Sequence, residues 1–204
     1  MPPCSDQIIL YDTEYWSSEG ALERNWGGIH DHPPHLIQIG AYKVERRAGL
    51  PVSDEFVAYI VPRDAEGAKI PLTGYFSDLT GISQDFLDLH ARELSEVMDS
   101  FGRFCGPAPM YSYGLDMLQT IVPSCFLQRI RCPFDPGQSR DIRQIFVQAG
   151  LTESELGRNS SGTLAGYLGI DMPSDHQAHD ALNDVNSLLL ALRVRGLLEH
   201  KQGL

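Results

Sequence analysis

Short apolar runs dominate the first third of this chain, and helical patterns dominate the rest. Three runs rich in β-branched and aromatic residues, at 7–11, 36–44 and 55–61, predict strands. The polar, glycine-containing stretch 45–54 separates the last two runs, as in a hairpin. These residues therefore predict an antiparallel unit of three strands.

Apolar residues that recur every three or four positions predict helices along the rest of the chain. The clearest stripe covers residues 91–105 and consists of Leu94, Val97, Met98, Phe101 and Cys105. A loop is predicted at 62–74, further helices at 83–89, 115–129, 163–168 and 181–198, a strand at 109–113, and a strand end turning into a short helix at 140–150. Strands followed by alternating helices and strands predict an α/β fold, with a mixed sheet flanked by helices on both faces.

The composition is that of an ordinary globular protein, with 42% hydrophobic and 21% charged residues. We expect a single domain over residues 1–204, with its core at about 7–198. No apolar run approaches the roughly 18 residues that span a bilayer, and the N-terminus lacks a secretory signal. We therefore expect no membrane contact and a cytoplasmic location. The four cysteines, Cys4, Cys105, Cys125 and Cys132, do not have the spacing of a disulfide framework or a zinc site.

Two carboxylates, Asp12 and Glu14, follow the first predicted strand. Because side chains along a strand alternate with a period of two, both point to the same face. Adjacent like charges are unfavourable unless a cation or a shared proton compensates them. The crevice beyond the carboxyl ends of strands is also where open α/β sheets bind ligands. Taken alone, this common pair favours the alternative, a solvated strand end with an Asp turn.

Asp116, His179 and Asp184 are further candidates for the same site. Asp116 follows the predicted strand 109–113, where a helix-capping role is the alternative. His179 and Asp184 stand at the start of the last predicted helix, where an acid-rich first turn favoured by the helix dipole is the alternative. Five helical steps separate side chains by about 140°, so we expect His179 at or before the helix start if both face one site.

In this order, the three pieces resemble the DEDD-type 3′–5′ exonucleases of the histidine subtype, the superfamily of proofreading subunits, ribonuclease T and oligoribonuclease. Asp12 and Glu14 match the first motif of that family, and Asp116 matches the second. His179 and Asp184 match its third motif, H-x4-D. The resemblance implies a ribonuclease H-like fold.

Other segments extend the resemblance to roughly residues 7–195. Residues 36–41, with the sequence LIQIGA, are similar to the second strand of these enzymes. Residues 79–82 are similar to the loop that meets the terminal nucleotide, and residues 166–170 to the segment before the histidine. The likeness is strongest to the branch of RNA-trimming exonucleases.

The resemblance implies two Mg²⁺ or Mn²⁺ ions about 4 Å apart in the active site. Asp12, Glu14 and Asp184 are expected to bind the ion that generates the nucleophile. Asp12 and, through water, Asp116 are expected to hold the ion at the leaving 3′ oxygen. The expected product is a 5′-mononucleotide.

His179 is expected to accept the proton of the attacking water, because imidazole exchanges protons near neutral pH. His176 is the alternative base. It would form one stripe with Asp180 and Asp184 if the last helix began earlier in the chain.

The expected substrate is the 3′ end of single-stranded RNA or DNA. The residues beside the first motif and in the 79–82 loop are candidates for contact with the terminal nucleotide: Thr13, Tyr15, Trp16, Leu79, Thr80 and Ile82. Trp16 is a candidate for base stacking, and packing in the core is the alternative. By analogy with relatives, a homodimer is expected.

The net charge of −11 argues against tight general binding of nucleic acid, because affinity for polyanions comes largely from Lys and Arg. Bound divalent cations would offset this charge where phosphate must lie. One alternative is a phosphodiesterase of short oligonucleotides, and another is a ribonuclease H-like module that binds without catalysis. The basic residues Arg129, Arg131, Arg140 and Arg143 are candidates for backbone contact, with a solvated face as the alternative.

A second metal hypothesis concerns the loop that contains His30, Asp31, His32 and His35, since imidazoles and carboxylates are zinc ligands. The prolines between His32 and His35 predict a surface loop before the second strand, so the alternative is histidines without a shared ligand.

Overall fold

A five-stranded mixed sheet forms the centre of the protein, in a computed structural model that describes residues 5–135, 137–172 and 179–199. The strands are β1 (Gln7–Trp16), β2 (His35–Glu45), β3 (Val52–Tyr59), β4 (Met110–Ser112) and β5 (Ser139–Asp141). They lie in the order β3-β2-β1-β4-β5. The pairs β1–β2 and β2–β3 are antiparallel, and β4 runs parallel to both β1 and β5. The predicted mixed sheet is confirmed.

Helices connect and cover the strands. They are α1 (Gly74–Thr80), α2 (Gln84–His90), α3 (Leu94–Cys105), α4 (Val122–Leu127), α5 (Arg143–Gln148), α6 (Glu153–Gly157), α7 (Leu164–Tyr167) and α8 (Ala181–Arg195). A π-helical turn, Met117–Ile121, leads directly into α4. This wider turn precedes Pro123, which has no N–H to donate to the carbonyl four residues back.

The sheet buries one apolar cluster on each face, because side chains of β1 alternate between the two faces. Ile9 and Tyr11 pack with α3 and with the helical segment 117–125. Ile8 and Leu10 pack with α5, α7 and α8 on the other face. Helices therefore flank both faces, as predicted. Continued alternation directs Asp12 and Glu14 to the face that α8 covers.

Two predictions about residues 1–80 need correction. The first strand was expected to end at residue 11, with the acids beyond it, but β1 continues to Trp16 because it pairs with β2 as far as His35. The acids therefore lie within the strand, next to a register shift between Glu14 and Tyr15. Helix α1 was not predicted; Thr73 begins it by accepting a hydrogen bond from the Phe76 N–H.

The later helices differ from the predictions mainly at their ends. The long last helix stops at Arg195, because Gly196 adopts the left-handed conformation that ends helices. Helix α6 was not predicted, although Thr152 and Glu155 form a capping box at its start. Among the described residues, none of the helices combines the length and apolar character needed to cross a bilayer.

Candidate active site

Strand β1 supplies two buried carboxylates to one end of the sheet. Asp12 and Glu14 are both at least nine-tenths buried and lie opposite Gly40 and Gln38 of β2. Buried carboxylates are costly unless they are neutralised or paired with a cation. The protein therefore accepts a local electrostatic penalty at this point of the strand.

Helix α8 brings the third-motif residues to the same place. Asp184 lies in its first turn and is buried, and its N–H donates to the Asp180 carbonyl (2.9 Å). The Asp180 side chain caps the helix by accepting from the Asn183 N–H (3.0 Å). His179 precedes this cap and has a φ of 64°, a left-handed conformation that turns the chain into the helix. His179 thus lies before the helix start, as its spacing from Asp184 required.

A buried glutamine holds the start of α8 against the sheet. Gln38 has no exposed surface, and its Oε1 accepts from the Ala181 N–H (3.1 Å). Its Nε2 donates to Asp180 Oδ2 (2.9 Å) and to the Tyr59 hydroxyl (3.2 Å). One side chain of β2 therefore fixes both the capping residue and the first free N–H of the helix. His179 and Asp184 lie on either side of this anchor.

Three carboxylates converge where α8 crosses β1. Oxygen atoms of Asp12, Glu14 and Asp184 lie within 4.8 Å of one another. Burial first, and then the neighbouring carboxylates, raise the pKa of Asp12 and that of Glu14 well above their usual range. A hard divalent cation takes oxygen ligands and would compensate this crowding, so the donor set fits Mg²⁺ or Mn²⁺.

Ser161 bridges two of these acids. Its hydroxyl lies 2.9 Å from Asp12 Oδ1 and 3.2 Å from Asp184 Oδ2. Next to it, a Cβ on Gly162 would lie 2.7 Å from the Asp184 Cγ, so glycine leaves room for that carboxylate. The segment before α7 therefore belongs to the site.

Asp116 enters the site from the end of β4. It stands immediately before the π-helical turn and is half-buried. Burial is the largest of the effects that raise its pKa to about 7. Asp116 lies on the same cavity as the other acids but outside their group of three.

These residues share one cavity of about 560 Å³. Its walls include the four acids and the histidine identified from the sequence: Asp12, Glu14, Asp116, His179 and Asp184. Arg143 supplies a guanidinium to the same walls and is paired with Asp141 (2.7 Å). Three segments that are far apart in the sequence therefore meet around one acidic space.

The predicted substrate contacts divide into two sets. Thr13, Tyr15, Leu79 and Thr80 line the cavity, although the Thr80 hydroxyl also donates to the Phe76 carbonyl (2.9 Å). Trp16 and Ile82 do not line the cavity. Both are buried in one apolar cluster, and Trp16 is only 5% exposed. For Trp16, this is the core packing that the sequence allowed as the alternative.

Sequence reasoning missed Gln38 and Ser161. Gln38 could have been found, because it is a polar residue between Ile37 and Ile39 in an apolar strand. Buried polar groups require hydrogen-bond partners, so such a residue indicates a specific contact. Nothing in the sequence around Ser161 indicates that it meets acids more than twenty residues away.

The histidine loop does not form a second metal centre among the described residues. Neither His30, His32 nor His35 belongs to a group of three converging ligand atoms, and Asp31 is paired with Arg24 (2.6 Å). His32 and His35 instead lie against the Trp16 ring, at centroid distances of 5.0 and 5.5 Å. His176, the alternative base, lies outside the described residues.

Solved structures with the same fold are DEDDh-type 3′-exonucleases and related nucleases. The nuclease domain of 3′hExo, a DEDDh family member bound to rAMP, matches with a TM-score of 0.73 and 18% identity, over 96% of this chain and 95% of that one. Cell-death related nuclease 4 matches at 0.70 and 18%, over 94% and 64%. The E. coli ExoI–ssDNA complex matches at 0.63 and 15%, over 94% and 41%.

The chain therefore has the fold of a DEDDh exonuclease domain, and the predicted ribonuclease H-like architecture is confirmed. No protein-family model matches the sequence. No curated protein matches it either.

Proposed function

We propose that the protein is a divalent-metal-dependent 3′–5′ exonuclease that releases 5′-mononucleotides from single-stranded RNA or DNA. The observation that carries this proposal is the shared cavity, in which three buried carboxylates converge and a fourth acid and a histidine complete the walls. Support also comes from the fold, since similar structures include 3′-exonucleases that hold rAMP or single-stranded DNA.

The carboxylates of Asp12, Glu14 and Asp184 are the proposed metal ligands, and Asp116 is the proposed fourth acid of a two-metal site. When bound, the ions supply an activated water and neutralise charge on the phosphate and the leaving oxygen. By holding the ions, these acids would fix where the scissile phosphate binds in the cavity. The choice between Mg²⁺ and Mn²⁺ is part of the test below.

His179 is the proposed general base. Its place on the cavity wall, directly before the helix that carries Asp184, lets its imidazole accept a proton from water at the phosphate. Replacement by alanine should lower kcat about 10²- to 10⁴-fold while metal binding persists. His176→Ala is the matched comparison, and an equal or larger loss in that variant would contradict the assignment to His179.

Thr13, Tyr15, Leu79 and Thr80 are the proposed contacts of the terminal nucleotide, because they line the cavity beside the acids. Trp16 and Ile82 are proposed to act only indirectly, by packing in one cluster with Phe76 of α1 and Leu87 of α2.

The test is a time course with 5′-labelled single-stranded RNA and DNA of equal sequence, in Mg²⁺, Mn²⁺ or EDTA. We expect a ladder that shortens from the 3′ end, depends on the metal and disappears in Asp12→Asn. The RNA-to-DNA rate ratio gives the substrate class. Asp12→Asn retains the size of the side chain, and its thermal unfolding should establish that it folds.

Glu23→Gln is the control for loss of charge alone, because Glu23 lines the same cavity outside the group of three. It should retain most of the activity. A wild type that shortens neither strand, in either metal, would contradict the proposed function.

A phosphodiesterase of short oligonucleotides is the second candidate, favoured by the acidic cavity and the net charge of −11. A rate that falls steadily as the strand lengthens would select it. The cytoplasmic location and the homodimer predicted from the sequence stay predictions.

A further inference from the structure

The helical segment after Asp116 is apolar on two adjacent faces, about 100° apart around its axis. Its inner face, with Met117, Ile121 and Cys125, is buried against the sheet. Its outer face carries the exposed side chains of Leu118, Val122 and Phe126, which we call the outer apolar stripe together with exposed Leu115, the residue before Asp116. The spacing of four residues places Leu118, Val122 and Phe126 along one side of the helical segment. Phe126 is 81% exposed, so nothing in the described chain covers it.

The outer apolar stripe begins at the active-site cavity and ends near two arginines. Leu115 lines the cavity directly beside Asp116. Three residues beyond Phe126 lies Arg129, which is exposed, and Arg131 follows and is exposed as well. Neither arginine has an ion-pair partner in the part of the chain that the structure describes. Exposed apolar side chains thus recur every three or four residues between the catalytic cavity and two cations.

The negative charge of the protein limits which interactions can bind a nucleic-acid strand beyond its 3′-terminal nucleotide. With a net charge of −11 and an acidic cavity, attraction to backbone phosphates is weak away from bound metal. Bases, however, are uncharged and gain affinity by covering aromatic and aliphatic side chains, in a manner that tolerates any sequence. An exposed apolar stripe beside the cavity has this chemistry.

On the basis of the proposed exonuclease function, we propose that the outer apolar stripe is the binding track for the single strand behind its 3′ end. Bases pack on Leu118, Val122 and Phe126, and Arg129 contacts a backbone phosphate. At about 1.5 Å per residue, the stripe is about 16 Å long from Leu115 to Phe126. At a stacked spacing of about 3.4 Å, it accommodates about five nucleotides.

A binding track on the outer apolar stripe predicts that KM depends on the length of the nucleic-acid strand. KM for a homopolymer should fall from the dinucleotide to about six nucleotides, which is one in the cavity and about five on the stripe, and then level off. Phe126→Ala should raise KM for a decamer about 5- to 10-fold, the low end of the range for loss of one stacked base, with little change in kcat. Dinucleotide hydrolysis should be unchanged, since that substrate ends before Phe126.

Matched variants separate stacking from general effects of surface change. Phe126→Trp should restore the wild-type KM for the decamer, whereas Phe126→Ala combined with Leu118→Ser should flatten the length dependence. Val194→Ser, at an exposed apolar residue of α8, is the control and should leave every KM unchanged. Arg129→Gln should reduce the slope of log KM against log salt concentration for the decamer but not for the dinucleotide.

Two results would overturn the track. One is an unchanged length dependence in the combined Phe126 and Leu118 variant. The other is a dimer in sedimentation velocity that becomes monomeric in this variant while its KM values stay at wild-type level, since the stripe would then join two copies of the chain. If the wild type hydrolyses no substrate, the proposed function fails, but the binding track can still be tested by fluorescence anisotropy of a labelled decamer. Binding that is lost in Phe126→Ala would support the track. Binding that persists in Phe126→Ala would overturn it.

Discussion

Gly40 of β2 lies directly beneath Leu182 in the first turn of α8. A Cβ at Gly40 would lie 2.8 Å from the Leu182 Cα, a separation that side chains do not adopt. Gly40 is also the register partner of Asp12 in β1. The absence of a side chain at this one position therefore lets the helix that carries Asp184 descend onto the strand that carries Asp12.

Gly40→Ala should damage the site from a distance, because the clash is with helix backbone rather than with a flexible side chain. We expect the free energy of unfolding to fall by roughly 1–3 kcal/mol and metal affinity to fall as Asp184 moves away from Asp12. Thermal unfolding and titration calorimetry with Mn²⁺ measure the two effects. Gly166→Ala in α7, where a Cβ would meet no atom within 4 Å, is the control. Equal metal affinity in both variants would contradict the argument.

Gln38 should act on catalysis by positioning α8 rather than by contact with substrate. Gln38→Met removes the partners of the Ala181 N–H and of Asp180, at a cost of roughly 1–3 kcal/mol in stability. We expect kcat to fall at least tenfold while KM for a dinucleotide changes little, because His179 and Asp184 lose their alignment. Steady-state kinetics on the folded variant give this comparison.

Two other substitutions locate the responsible bond. Tyr59→Phe removes only the 3.2 Å bond on the far side of Gln38 and should leave kcat near the wild-type value. Gln38→Glu retains the acceptor for the Ala181 N–H but places two carboxylates together at Asp180, so its kcat should fall as in Gln38→Met. A Gln38→Glu variant as active as the wild type would show that the bond to Asp180 has no role in positioning.

The acids and the antiparallel unit of three strands were predictable from the sequence because they depend on local pattern. The D-x-E pair sits in an apolar strand, and the H-x4-D spacing placed His179 before the helix that begins at Ala181. The extent of β1 was not predictable in this way. The carboxylates of Asp12 and Glu14 interrupt the apolar run, and residues 12–16 are held extended by pairing with β2.

Contacts between distant segments were the part that sequence patterns could not supply. The hydroxyl of Ser161 meets Asp12 across 149 positions of the chain, and no local periodicity encodes that contact. From the sequence alone, Gly40 is only a glycine within a strand. The position of α8 shows that its backbone leaves no room for a side chain there. Long-range packing, rather than propensity, decides both positions.

Ser161→Ala should destabilise the metal-free protein more than the metal-bound protein. Without the hydroxyl, the carboxylates of Asp12 and Asp184 lose a hydrogen-bond donor in a buried place, whereas a bound cation would satisfy the same oxygens. We expect the Tm in EDTA to fall by several degrees and the Tm in excess Mn²⁺ to fall by less. Ser100→Ala, at a hydroxyl that bonds only to α3 carbonyls, is the control. Equal losses in EDTA and Mn²⁺ would contradict a link between Ser161 and the metal site.

Stability of the metal-free protein should decrease as pH rises through the acidic and neutral range. The folded state raises the pKa of Asp12 and that of Glu14, and raises the pKa of Asp116 to about 7, while the unfolded chain ionises near a pH of about 4. Below that value both states are protonated and no stability is lost. Above it, the carboxyl groups ionise in the unfolded state first. The free energy of unfolding therefore falls further until the pH passes the pKa values that these groups have in the folded state.

Glu14→Gln isolates this effect, because it removes one buried carboxylate from the cluster and retains the shape of the side chain. In EDTA between pH 5 and pH 8, the Tm of the variant should fall less steeply than that of the wild type, and the two curves should separate most at high pH. Saturating Mn²⁺ should flatten the wild-type curve, since the cation favours the ionised carboxylates. Glu66→Gln, at an exposed acid outside the cavity, should follow the wild type. Parallel curves for wild type and Glu14→Gln in EDTA would mean that the acids of β1 carry no electrostatic cost in the metal-free fold.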